Sequence, residues 1–183
     1  MSNPIRLPGE PLSDGPTTLR PWRESDLTAI VTLCRDPEIA RWTRVPANYT
    51  EADGRVFLAR RHDMAHAGLL APFAIVSDGP DGELLGSISL LRFVWAHRRA
   101  EVGYWLGRSA RGAGHATRAV GLICRWGFAR LDLERIDLLA STGNAASQAV
   151  AQRAGFTREA VLRSSLNLPS GRQDVVCFGL LAG

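Results

Sequence analysis

Between Arg111 and Ala116 the sequence reads Arg-Gly-Ala-Gly-His-Ala, after an apolar strand-like run from Val102 to Leu106 and ahead of a helix-like segment beginning near Thr117. Small residues joining a strand to a helix N-terminus leave several backbone N–H groups without intrahelical partners, with the positive end of the helix dipole behind them. Such a place binds phosphate. A glycine pair before a helix is equally the composition of an ordinary tight turn, so the surrounding elements must decide between the two. A dinucleotide-binding unit would put the loop after the first strand of a series of strand–helix–strand repeats, with an acidic residue about 20 positions on. A Walker loop needs Gly-Lys-Ser/Thr, which this chain lacks.

The elements that must position this loop can be read from periodicity and caps. Thr17 to Trp22 is a short strand, and Glu24-Ser25-Asp26 caps a helix carrying Leu27, Ile30, Val31 and Cys34 that stops near Asp36-Pro37. A helical turn follows over Glu38 to Trp42, and Thr50-Glu51-Ala52-Asp53 opens a helix through about Ala65. Strand periodicity then takes over: Phe73 to Ser77, Leu84 to Trp95 and Glu101 to Leu106 form an antiparallel meander, with Gly86 a bulge candidate. After the loop, Ala116, Ala119, Val120, Ile123, Gly127 and Phe128 recur at helical spacing, and Arg135 to Ala140 is a strand. The intervening helix makes this a crossover between parallel neighbours. Asn144 caps a helix over Ala145 to Ala154 that Gly155 ends, and two strands, about Thr157 to Leu166 and Gln173 to Leu181, flank a turn at Pro169-Ser170-Gly171.

Bulk properties narrow the class. The chain has 183 residues, 45% of them hydrophobic, enough for one domain with a sizeable core. Met1 to Pro16 holds Pro4, Pro8, Pro11 and Pro16 and no apolar run, which predicts a flexible tail (1–16) rather than a signal peptide or membrane span, followed by a single domain over 17–183. Cys34, Cys124 and Cys177 are odd in number and sit in apolar segments, the pattern of reduced thiols in a cytoplasmic protein, and His62, His66, His97 and His115 make no metal-ligand cluster with them. The net charge of +4 is arginine interleaved with acids, without a continuous basic helix face. This suits an anionic ligand better than a nucleic-acid groove, although a basic RNA-associated protein stays open as a rival.

At this point the sequence resembles the GCN5-related N-acetyltransferase (GNAT) superfamily. Arg111-x-x-Gly114-x-Ala116 is similar to that family's pyrophosphate loop, and Asn144-x-x-Ser147-x-x-Val150-x-x-Arg153-x-Gly155-Phe156 to its second cofactor-side motif. Leu19-Arg20-Pro21-Trp22, Val161-Leu162-Arg163 and Gly171 to Val176 resemble the branch that acetylates N-terminal alanine or serine of ribosomal proteins. The resemblance implies an α/β (α+β) fold: a mixed, mostly antiparallel sheet of about seven strands, flanked by about four helices and splayed between the fourth and fifth strands.

It also implies acetyl-CoA as cosubstrate, no metal, and direct transfer of acetyl to a primary amine. The family's pattern would place the pyrophosphate on Arg111, Gly112, Ala113, Gly114, His115, Ala116 and Thr117, with Arg111 or Arg118 adding charge, and the pantetheine arm along Tyr104, Trp105 and Leu106. Leu106 N–H becomes the oxyanion donor, Glu101 the general base and Ser147 the group meeting the sulfur, with Asn144 as helix cap or cofactor ligand. A tyrosine that many relatives carry seven residues after the motif asparagine is replaced by Ala151. Trp42, Arg44 and Tyr49 are candidate acceptor-binding residues. The acceptor itself is expected to be a protein N-terminal α-amine. A small amine or antibiotic is the alternative, and a non-enzymatic CoA-binding module is the rival of another class. Relatives often dimerise, which leaves a homodimer as an open expectation.

Overall fold

The computed structural model describes residues 4–168 and 171–183, the side chain of residue 62 excepted. The turn expected at Pro169 and Ser170 lies outside the described residues. Eight strands form one sheet: β1 Leu12–Asp14, β2 Thr17–Arg20, β3 Leu70–Ser77, β4 Leu84–Val94, β5 Arg99–Leu106, β6 Arg135–Ser141, β7 Thr157–Leu168 and β8 Gly171–Leu181. They lie in the order β1-β2-β3-β4-β5-β6-β8-β7, and among the described residues only the β5–β6 pair is parallel. The α-helices are α1 Leu27–Cys34, α2 Pro37–Trp42, α3 Glu51–His66, α4 His115–Leu131 and α5 Ala145–Arg153.

The helices divide between the two faces of the sheet. α4 buries Ala119, Val120, Ile123, Cys124 and Trp126 against Phe73, Ile88, Leu90 and Val102. On the opposite face Ile30 and Val31 of α1 and Ile39 of α2 cover Ala74, Val76, Leu84 and Trp105, with Phe57 and Leu58 of α3 packed against them. Because side chains alternate along a strand, β5 sends Val102, Tyr104 and Leu106 to the α4–α5 side and Glu101, Gly103 and Trp105 to the α1–α3 side.

Two differences from the sequence reading concern the N-terminus and the helix starts. The expected flexible tail is corrected from residue 4 onward: Leu12–Asp14 pairs with β2, Ile5 is buried, and its N–H donates to Ala65 O at 3.0 Å. The apolar residues Ile5, Leu7 and Leu12, spaced between the prolines, supply the contacts that hold this segment to the core. α4 begins at His115, two residues earlier than expected, because Gly114 takes the left-handed conformation (φ +82°) that ends the loop.

β5 and β6 are hydrogen-bonded only over Arg99–Glu101 and Arg135–Asp137. The buried Asp137 carboxylate holds Arg135 (2.7 Å) and Arg99, and Arg135 continues to Glu159 at 2.5 Å. Beyond this ionic pin the two strands part, β6 keeping its full ladder with β8. The opening is the splay expected between the fourth and fifth strands, displaced by one in number because β1 adds a strand at the edge.

Candidate active site

The splay opens into a cleft of about 1190 Å³ that runs from the Arg111–Arg118 segment, between β5 and β6, to a wall made by α2, the segment after it, and Arg61 of α3. Its geometry follows from strand register. Gly107 N–H donates to Leu85 O at 2.8 Å, which makes the adjacent Leu106–Gly86 pair and, two residues back, Tyr104–Ile88 non-hydrogen-bonded toward β4. The backbone groups of Tyr104 and Leu106 therefore point into the splay, where β6 no longer pairs with them. Those of Trp105 are directed at Ser87 on β4, so the expectation that Trp105 lines the pantetheine path with its backbone is corrected. Glycine is required at position 86, because a Cβ there would lie 2.2 Å from Trp105 O.

At the far end, α4 starts without a side-chain cap and with no acidic residue in its first turn. Its first internal bond is Arg118 N–H to Gly114 O, so the N–H groups of His115, Ala116 and Thr117 are unspent. By contrast α2, α3 and α5 are capped by Asp36, Thr50 and Asn144. An uncapped long helix at the mouth of a cleft, preceded by two glycines of positive φ, is built for an anion. Arg118 lies over the loop, bonded to Ala113 O at 3.2 Å. Arg111 turns the other way: its guanidinium donates to Leu106 O (3.1 and 2.9 Å) and pairs with Asp36 at 2.7 Å. It braces the end of β5, which corrects its expected place as a phosphate ligand and leaves that charge to Arg118. The His115 ring is likewise taken up, with Nδ1 2.9 Å from Thr17 Oγ1, so its contribution to the loop is its backbone N–H.

In the middle of the cleft Tyr104 O–H donates to Ser147 Oγ at 3.1 Å, joining β5 to α5 across the splay. Burial holds the Tyr104 phenol above its ordinary range, with the Ser147 bond acting against the shift. Asn144 Oδ1 accepts Ser147 N–H at 3.0 Å, so this oxygen serves as the helix cap and only the amide nitrogen is left to face a ligand. None of the three cysteines lines the cleft, and burial pushes the Cys34 and Cys124 thiols up to about 12.

Glu101 stands on the opposite face of β5, its side chain 18% exposed. Burial raises its carboxyl above the usual range, and the ion pair with Arg92 at 2.8 Å works against that shift. Arg92 sits in the left-handed region (φ +51°) at the irregularity between Leu91 and Val94, a backbone strain that turns it back toward Glu101. Arg98 and Arg99, nearer to Glu101 in sequence, are engaged elsewhere: Arg98 pairs with Asp132 and Glu134, and Arg99 with Asp137.

Of the three candidate acceptor-binding residues, two lie along the cleft and one is buried away from it. Trp42 and the exposed Arg44 line the cleft, with Trp42 Nε1 held by Glu38 at 3.0 Å. Tyr49 does not: it is 5% exposed, packs with Trp22, Ile30 and Ile39, and leaves its hydroxyl without a partner among the described residues. Arg61, Ser89 and Arg92, which the sequence did not single out, also line this part.

A family model described as an acetyltransferase (GNAT) domain matches residues 17–157. The chain belongs to the GNAT acetyltransferases. The family uses acetyl-CoA, and the uncapped α4 N-terminus, the Tyr104 backbone and the Leu106 N–H fit the pyrophosphate and amide groups of that molecule. Among solved GNAT structures, RimJ of Mycobacterium smegmatis in complex with CoA-disulfide matches with a TM-score of 0.84 at 26% identity, covering 94% of this chain and 86% of that one. Among curated relatives, YdaF of Bacillus subtilis (strain 168), provisionally named a ribosomal N-acetyltransferase, is 37% identical over 101 residues, and the match spans 55% of each protein. Spermidine N(1)-acetyltransferase of Escherichia coli (strain K12) is 26% identical over 145 residues, 79% of this chain and 74% of that protein. Among the described residues no helix is long and apolar enough to cross a membrane, and no three metal-ligating side chains converge.

Proposed function

We propose that this GNAT chain transfers acetyl from acetyl-CoA directly to the α-amine of a protein N-terminus, of the ribosomal-protein kind. The observation that carries this reading is the charge of the acceptor wall. Arg44, Arg61 and Arg92 line it against Glu38 and Glu101, and Glu38 is already paired with Arg41. A polyamine, cationic along its length, would meet excess arginine there, whereas a peptide brings one amine and a neutral or anionic chain. The name of YdaF supports the same acceptor class.

Acetyl-CoA supplies an activated thioester. Glu101, kept from full hydration, takes the proton of the incoming ammonium, and Leu106 N–H donates to the oxygen on which negative charge develops. In this reading Ser147 O–H donates to the sulfur as the thioester bond breaks. Its oxygen receives the Tyr104 hydrogen bond, so charge building on sulfur is shared along two donors. The buried phenol keeps its proton, which makes Tyr104 a persistent donor in place of the tyrosine replaced by Ala151. Ser147→Ala and Tyr104→Phe should each lower kcat by about tenfold. Combined, they should cost little more than Ser147→Ala alone, because both act through one chain of bonds. A multiplicative loss in steady-state assays would separate the two residues.

The acceptor is tested by thiol release from acetyl-CoA with amino-terminal peptides, spermidine and an aminoglycoside. Peptides should be turned over with kcat/KM at least about 10² above the polyamine, a difference of about 2.7 kcal/mol. A polyamine or aminoglycoside preference would overturn the assignment. Equal silence toward all amines, with acetyl-CoA bound, would favour the non-enzymatic module.

A further inference from the structure

Arg61 lies on α3 with its guanidinium 3.9 Å above the Phe57 ring, and its one hydrogen bond among the described residues goes to Ser89 Oγ at 3.1 Å. Several other arginines meet a carboxylate: Arg20 has Asp26, Arg92 has Glu101, Arg111 has Asp36, and Arg99 and Arg135 share Asp137. Arg61 has none among the described residues. A guanidinium carries five N–H donors in a planar fork suited to carboxylate. Most of that capacity is unused here at a half-buried group facing the cleft, which leaves the fork open to an anion that enters it. Burial lowers the Arg61 pKa to about 10, so the group is still charged at neutral pH.

Sheet register gives the place of this charge relative to the reacting amine. Ser89 pairs with Gly103 and Leu91 with Glu101, so Ser89 and Glu101 are diagonal neighbours on one face, about 7–8 Å apart along the backbone. Gly103 between them has no side chain of its own, and Leu91 Cδ2 lies 3.1 Å from where a Cβ would stand, so the floor of the cleft between the base and the guanidinium is apolar. An extended peptide advances about 3.3 Å per residue, so with its amine at Glu101 the second and third residues pass Arg61.

We infer that Arg61, held by Ser89 and Phe57, is a specificity determinant that binds a carboxylate two or three residues into the acceptor, so that the preferred substrate is a peptide with aspartate or glutamate near its amino terminus. The inference rests on the peptide-acceptor reading and goes beyond it. Glu101 handles the amine, Arg61 reads the anion, and the distance between them sets which peptide positions count.

The test uses C-terminally amidated peptides, so that only the side chain differs: Ser-Glu-Ala-Ala and Ser-Ala-Glu-Ala against Ser-Gln-Ala-Ala and Ser-Ala-Gln-Ala. Calorimetric titration into the CoA-bound full chain and kcat/KM are both read. The expected result is at least a tenfold tighter Kd for one of the glutamate peptides. R61Q should abolish the difference between the glutamate and glutamine peptides, whatever it does to their common level, and R61K, which keeps charge but loses the fork, should retain part of it. Unchanged CoA affinity shows that the variants are folded. Equal affinities for the two peptide classes in the unaltered protein overturn the inference, as does a glutamate preference that survives in R61Q. If no peptide is acetylated yet the Arg61-dependent difference in Kd remains, the acceptor reading fails and the anion site stands.

Discussion

Replacing Glu101 with Gln should lower kcat/KM for the peptide acceptor by about 10²–10³, within the range that a positioned general base contributes. The loss should fall on kcat/KM without weakening acetyl-CoA binding, since Glu101 faces the α1–α3 side of β5 and the cofactor path uses the backbone of Tyr104 and Leu106. Burial holds the carboxyl above the usual range. The acid limb of the kcat/KM profile should accordingly lie above pH 4.5, the ordinary value for the group, and be lost in the Gln variant. Stability responds in the opposite sense to the usual carboxylate. A folded pKa above the unfolded one means that the stabilisation belongs to the protonated form, present below the unfolded pKa and lost as pH rises through the folded value. At neutral pH the ionised Glu101 is a burden on the fold, so the Gln variant should unfold at the same temperature or higher. A large drop in both activity and melting temperature would show Glu101 to be a partner of Arg92 and nothing more.

Gly114→Val should weaken acetyl-CoA binding by about 10² or more. Gly114 has φ +82°, where a β-branched residue costs about 1–3 kcal/mol, and its Cβ would stand 2.7 Å from Arg118 Nη1. The arginine tip can move, but only by leaving the loop it covers. Re-aiming the N–H groups of His115 to Thr117 would lose charge-assisted bonds worth about 1.5–3 kcal/mol each. Gly79→Val is the matched control: Gly79 also has positive φ (+103°), with nothing within 4 Å of the added Cβ and no part in the cleft. It should lose comparable stability and leave acetyl-CoA affinity within about threefold, a difference under about 0.7 kcal/mol. Equal losses of affinity in the two variants would mean that the loop is a turn and not a phosphate cradle.

How much of this was readable from the chain depends on the range of the interaction. The Arg111–Thr117 loop, the α4 stripe and the Asn144 cap are local, and each is written in adjacent residues. The capping box of Thr50 and Asp53 is of the same kind. The site's other half is not local. Arg61 meets Ser89 across 28 residues and Arg92 meets Glu101 through an irregular strand, so their meeting depends on a register that composition does not carry. α3 has too weak an apolar stripe to announce which side faces the cleft. Tyr49 shows the converse error. Its neighbours Asn48 and Thr50 are exposed, and only the packing of α1, α2 and β3 around it turns the ring inward. Leu19-Arg20-Pro21-Trp22, read as a mark of the acetylating branch, has a structural use as well: Arg20 is buried on Asp26 with bonds of 2.7 and 2.8 Å, tying β2 to the start of α1.

The most direct measurement is the thiol-release panel run to completion, with the products weighed by mass spectrometry. A single acetyl group on the amino-terminal nitrogen of the peptide, matched by an equal amount of free CoA and by an unchanged mass of the protein, is the predicted outcome. Acetyl found on the protein itself, on a lysine side chain in preference to the terminal amine, or on spermidine in preference to any peptide would contradict the account.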